Sequence, residues 1–119
     1  MRTLGQQRAQ FCLEQLENLA CDRKDFKPFS AGLPAMILQN GFGQTLAFLQ
    51  AKGKDKHKQG FLIIKSWLIE RKIVGNALQD VDILRQISSM DQKKYLQAQK
   101  ETLAMLEWLK RYANAELFA

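Results

Sequence analysis

The side chains able to do acid–base, nucleophilic or metal chemistry are few in this chain and badly placed for it. Its one histidine, His57, stands among Lys52, Lys54, Lys56 and Lys58, with no serine or cysteine placed to be its nucleophile. No paired-histidine zinc motif occurs, and two cysteines with one histidine argue against a Cys/His metal site. Cys12 and Cys21 read as parts of one helix; nine residues at ~1.5 Å rise sets them about 13 Å apart, too far for a disulfide. At ~100° per residue they also point to nearly opposite sides, Cys12 to the core and Cys21 to the surface. The carboxylates are scattered. Gly41-Phe42-Gly43 opens like a dinucleotide fingerprint, but Leu46 holds the third glycine position and no strand precedes it. Backbone N–H groups near Gly43, at a helix start, remain a place for an anion. The reading is a protein that is not an enzyme and uses no cofactor or metal.

What the chain does have is cations. Its 119 residues carry 18 Lys and Arg against 12 Asp and Glu, a net charge of +6, which favours a polyanionic partner, nucleic acid before an anionic membrane. The plain alternative is a protein that is simply basic. No apolar run reaches the ~20 residues of a membrane span, and the N-terminus has no apolar signal region, so a cytosolic protein without membrane contact is expected. The length fits a single domain, residues 1–119.

Helical spacing positions these groups. A first helix is expected from about Leu4 to Asp22, with Thr3 and Gln6 as a capping box and Ala9, Cys12, Leu16 and Leu19 as its stripe. Arg8 flanks that stripe, either lying over the core edge or reaching a partner. Arg23–Phe29 reads as a charged connection in which Pro28 blocks a helix. Leu33–Leu49, free of charge, reads as two short buried helices: Pro34 near the start of the first, Gly41 closing a tight corner, and Asn40, Gln44 and Thr45 in need of hydrogen-bond partners. Lys52–Gly60 reads as a mobile basic loop, solvated or on phosphates. A fourth helix should begin near Gln59 or Phe61 and end near Lys72, with Phe61, Ile64, Trp67 and Leu68 on one face and Leu62 and Ile69 on another. A helix apolar on two sides is either central or covered by another subunit. A short helix over Asp80–Ile87 follows, then a long one over about Asp91–Glu116 capped by Ser88 or Ser89. In the long helix Tyr95, Thr102, Leu106, Leu109 and Ala113 share one side, while Lys93, Lys100 and Arg111 fall within about 20° of each other on the far side. Glu107 is spaced to pair with Arg111. Trp67 and Trp108 read as core packing ahead of RNA stacking or an interface. No segment alternates as a strand does, so the fold class is all-α, a compact bundle of about five or six helices.

The chain resembles one family, the small subunit (the fifth Cmr protein) of type III-B CRISPR effector complexes. The carriers are Leu33-Pro34-Ala35 followed by Asn40-Gly41-Phe42-Gly43-Gln44-Thr45-Leu46-Ala47-Phe48-Leu49, supported by Thr3-Leu4 with Gln7-Arg8-Ala9 and by Leu106-Glu107-Trp108-Leu109-Lys110-Arg111-Tyr112-Ala113. The Lys54–Lys58 stretch and the Ile73–Gln79 region match no pattern of the family. The resemblance implies a compact helical subunit without enzymatic activity. Such subunits stack in several copies as a minor filament along a complex of backbone and large Cmr subunits, guide RNA and captured target RNA, bracing it and lining the channel of the guide–target duplex.

Lysines and arginines would then contact phosphates without reading bases. The candidates are Arg8, beside the N-terminal motif; Lys52, Lys54, Lys56 and Lys58, by charge density; and Lys93, Lys100, Lys110 and Arg111 on the last helix. They face different ways and cannot all meet one strand. Leu33, Pro34, Asn40, Gly41, Gly43 and Gln44 form the structural motif, and Leu62, Trp67, Ile69 and Trp108 are the candidate subunit contacts. The alternative is a stand-alone helical adaptor that does not bind RNA. A helix-turn-helix regulator is disfavoured because the helix after Gly43 offers Gln44 and Gln50 but no arginine for the major groove.

Overall fold

The computed structural model describes residues 1–77 and 79–118, and its elements are α1 (Leu4–Glu17), α2 (Arg23–Asn40), α3 (Phe42–Lys52), α4 (Asp55–Glu70), α5 (Asp80–Ser89) and α6 (Gln92–Asn114). These six helices, with no strand among the described residues, meet the all-α expectation. α6 packs along α2 and α1, α3 lies against α4, and α5 sits on α3. Of the Ile73–Gln79 connection, Leu78 lies outside the described residues.

α1 starts at the expected capping box: the Gln6 N–H donates to Thr3 Oγ1 (3.1 Å) and the Thr3 N–H to Gln6 Oε1 (2.8 Å). It ends earlier than expected. Asn18 donates from Nδ2 to the Glu14 carbonyl (2.9 Å), and the Arg23 guanidinium donates to the Leu16 and Glu17 carbonyls. The open carbonyls at the helix end are thereby satisfied, and Cys21 falls on the connection, half-buried.

α2 overturns two expectations. Arg23–Phe29 is helix, capped by Asp22, whose side chain accepts from the Lys24 N–H (2.8 Å), and Pro28 and Pro34 both lie inside it. Each proline removes one ladder bond, at a cost of about 3 kcal/mol. The helical spacing of Phe26, Ser30, Leu33 and Ile37, all buried, offsets that cost, since a fully buried apolar side chain contributes roughly 1.5–3 kcal/mol.

The Gly41 corner is present. Gly41 adopts φ 91°, its N–H donates to the Ile37 carbonyl (2.8 Å), and its own carbonyl accepts from the Thr45 N–H (3.1 Å) and Thr45 Oγ1 (2.8 Å). Of the three polar residues expected to need partners, Thr45 is buried and bonded, while Asn40 and Gln44 are exposed and solvated. The corner is held instead by Tyr95 of α6, whose hydroxyl accepts from the Gly43 N–H at 2.7 Å. A Cβ at Gly43 would stand 3.2 Å from that oxygen, so the motif's second glycine keeps room for the tyrosine.

The expected mobile loop Lys52–Gly60 is mostly the start of α4. Asp55 in its first turn favours the helix dipole. His57 is buried against the rings of Phe29 (4.9 Å) and Phe48 (5.7 Å), so the helix gains an apolar anchor where the lysines alone suggested none. The last helix is capped by Asp91, whose side chain accepts from the Lys94 N–H (2.8 Å). Ser88 and Ser89 instead donate back to carbonyls of their own helix.

Because the φ of Gly41 is one L side chains avoid, Gly41→Ala should lower stability by about 1–3 kcal/mol in urea melts. Gly32→Ala, at an exposed helical position with nothing within 4 Å, should raise it by about 0.5–1 kcal/mol.

Candidate nucleic-acid interface

The best-defined polar site lies inside the bundle. Arg8 of α1 donates from Nε and Nη2 to the two carboxylate oxygens of Glu101 on α6, each at 2.8 Å. Trp67 of α4 adds its indole N–H to the same carboxylate at 3.0 Å. The side chains of Arg8 and Glu101 are 20% and 11% exposed, so the pair is largely removed from water. Burial, the largest single influence on the Glu101 carboxyl, raises it; the Arg8 and Trp67 hydrogen bonds and the charges of Arg8 and Arg71 outweigh burial and hold it below the ordinary range. The Arg8 guanidinium is raised, first by its bond to Glu101. Trp67 itself is fully buried and tilted against Phe11, with ring centroids 4.9 Å apart. Glu101 was missed in the sequence, where its only signal is a carboxylate at the edge of the apolar stripe of the last helix.

The candidate phosphate contacts on the surface fall into two groups. Around the α3–α4 corner, Lys52 is exposed and lies 5.6 Å from the Phe48 ring centroid, Lys54 and Lys58 are exposed, and Lys56 is half-buried. Lys54 and Lys56 share a recess with Asp22, Asp25 and Asp55, so part of this charge is offset locally. The His57 base between them is lowered by burial first and then by Lys56, Lys52 and Lys54. On α6, Lys93, Lys100 and Arg111 are exposed, and none makes an ion pair among the described residues. Glu107 pairs with Lys110 at 3.3 Å and not with Arg111 as expected, because the three-residue spacing also brings a cation within reach.

Leu62 is 41% exposed, Ile69 and Trp108 are half-buried, and Trp67, fully buried, is no surface contact. The Gly43 N–H, once a place for an anion, is taken by Tyr95. Burial pushes the Cys12 thiol up to about 12, and burial with Asp55, Asp22 and Asp25 raises Cys21, so neither is a ready nucleophile. Among the described residues no three His, Cys, Asp or Glu come together as a metal site, and no helix is long and apolar enough to cross a membrane.

The class is therefore a helical protein, six helices among the described residues, with cations on its surface and its least exposed ion pair turned inward. Comparison with known proteins gives that class its family. The family described as CRISPR-associated protein (Cas_Cmr5) matches residues 4–116. The chain is 30% identical over 119 residues to the CRISPR system Cmr subunit Cmr5 of Thermus thermophilus, covering 97% of this chain and 96% of that one. It is 31% identical over 113 residues to the subunit of the same name from Thermotoga maritima, covering 93% and 82%. A crystal structure of a CRISPR-associated Cmr5 family protein from Thermus thermophilus superposes with a TM-score of 0.80 at 28% identity, over 99% of this chain and 100% of that one. The chain belongs to the Cas_Cmr5 family, the small subunit of the type III-B Cmr complex of CRISPR defence.

The depressed Glu101 carboxyl contributes stability above its unfolded value of about 4.5, and that contribution is lost as pH falls through the lower folded value. Glu101→Gln should cost about 2–3 kcal/mol in urea melts at neutral pH, and the difference from the parent chain should shrink as pH falls through the lowered folded value of the carboxyl.

Proposed function

We propose that this chain is a non-catalytic, cytoplasmic small subunit. It stacks with copies of itself as a minor filament, braces the backbone and large Cmr subunits, and lines the guide RNA–target RNA channel through sequence-independent basic contacts. The observation that carries this reading is the outward face of α6, where Lys93, Lys100 and Arg111 stand exposed without carboxylate partners among the described residues. Lysines and arginines free in this way hold phosphates without reading bases. Lys52 and Lys58 at the α3–α4 corner are the next contacts in rank. Lys54, Lys56 and Lys110 have acidic neighbours to displace. Arg8 serves the fold through Glu101, which takes its Nε hydrogen and one of its Nη2 hydrogens. The stand-alone adaptor loses its strongest anchor, because Trp67 is fully buried.

The isolated subunit should bind RNA weakly at low salt, without sequence preference. Its log affinity should fall against log salt by about 0.7 for each phosphate neutralised. Replacing Lys93, Lys100 and Arg111 together by Glu should leave the thermal melt unchanged, keep co-purification with tagged Cmr backbone subunits, and weaken target capture by the assembled complex at least ~tenfold. Loss of assembly with RNA capture intact would place that face against protein and overturn the reading.

A further inference from the structure

A cavity of about 300 Å³ opens between the end of α1, the first turns of α2 and the end of α6. Leu16, Leu19 and Phe26 form its apolar floor, and Tyr112 and Phe118, both half-buried, stand at its side. Arg23, Lys24 and Lys27 surround it, with Glu116 the one carboxylate lining it among the described residues. The three cations differ in what they already do. Arg23 closes α1 and lies 5.7 Å from the Phe118 ring centroid, fixing one aromatic wall. Lys24 is exposed and makes no ion pair among the described residues. Lys27 meets Glu116 at 2.7 Å, with side chains 38% and 70% exposed, an ion pair that water weakens and a stronger anion can displace.

We infer that this cavity receives one nucleobase of an RNA strand beside Tyr112 and Phe118, with a neighbouring phosphate on Lys24 and Lys27. The inference rests on the RNA-channel reading and gives it a point where a strand is held by more than charge. A volume of about 300 Å³ is at the small end of ligand pockets, enough for one flat ring system and too small for a folded segment. Aromatic side chains beside cations are what single-stranded nucleic acid binds: the rings stack on bases of any identity and the cations follow the backbone. The apolar floor reads no base edge, so the site holds a base without selecting it. A purely apolar ligand would leave Lys24 and Lys27 unused, and a bare phosphate would leave the cavity empty.

The test titrates the whole chain at low salt with AMP and with ribose 5-phosphate, following the Leu16 and Leu19 methyl signals and the Tyr112 ring signals by NMR. AMP should saturate and move those signals, and ribose 5-phosphate should bind at least ~tenfold more weakly, since it lacks the stacked ring. An oligo(A) hexamer should displace AMP and bind more tightly. Ala113→Trp, which fills the cavity, should abolish the AMP response, and Lys24→Glu, at an exposed position, should weaken it about tenfold. Glu116→Gln, which releases Lys27, should strengthen it, an outcome no purely structural role produces. Equal binding of AMP and ribose 5-phosphate, failure of the hexamer to compete, or occupation by an acidic phenylalanine-containing peptide in place of AMP each overturns the inference. If the complex captures RNA through α6 and AMP leaves the cavity untouched, this inference alone fails. If AMP binds here and charge reversal on α6 leaves capture unchanged, the channel reading alone fails.

Discussion

One carboxylate holds three helices in register. Glu101 projects from α6 toward α1 and α4 and receives two N–H groups from Arg8 and one from Trp67. A charge so removed from water is costly unless it is paired and fully hydrogen-bonded, and losing either partner leaves the other stranded. The site therefore tolerates one arrangement of the helices and few others. Trp67 shows the same constraint from the apolar side: it fills the centre of the bundle against Phe11 and can be buried because its N–H has an acceptor. The same carboxylate decides what Arg8 can do. Beside a family motif it looks like a hand held out to RNA, but its fork is closed on Glu101.

With the frame fixed from within, the outer faces are free to differ, and they do. From Pro28 to Ala51 no residue is charged, although half of that stretch is exposed on α2 and α3. That surface offers no cation to a phosphate. The outward side of α6 offers Lys93, Lys100 and Arg111, and the α3–α4 corner offers Lys52 and Lys58. A net charge of +6 is thus not a uniform coat; the uncharged stretch on α2 and α3 leaves it to the rest of the surface. For a subunit of the Cmr complex, such a division sets an uncharged side apart from a cationic one.

Much of this was legible in the residues. Apolar spacing near 3.6 located α1, α4, α5 and α6, Thr3 and Gln6 announced their capping box, and Gly41 announced its corner. What escaped depended on distant contacts. Pro28 argues locally against a helix and Pro34 for a helix start, and both are overruled by the burial of Phe26, Leu33 and Ile37, which no local rule weighs. His57 reads as one more polar residue in a lysine run until Phe29 and Phe48 close around it. Asn40 and Gln44 are conspicuous in the motif yet exposed, while the residue that holds their corner, Tyr95, lies 52 positions away from Gly43. Glu101 and Arg8 are 93 positions apart, and spacing says nothing about such pairs. The cations were legible as a set, but not which of them were already engaged.

The central claim, that the exposed cations of α6 and of the α3–α4 corner face RNA while the uncharged surface does not, is tested most directly by photocross-linking. A Cmr complex assembled with this subunit, guide RNA and a photoreactive target RNA would be irradiated and the linked peptides identified by mass spectrometry. The account predicts links to peptides carrying Lys93, Lys100 and Arg111, weaker ones around Lys52–Lys58, and none within Pro28–Ala51. Links confined to Pro28–Ala51, or no link to this subunit in a complex that has captured its target, would contradict it.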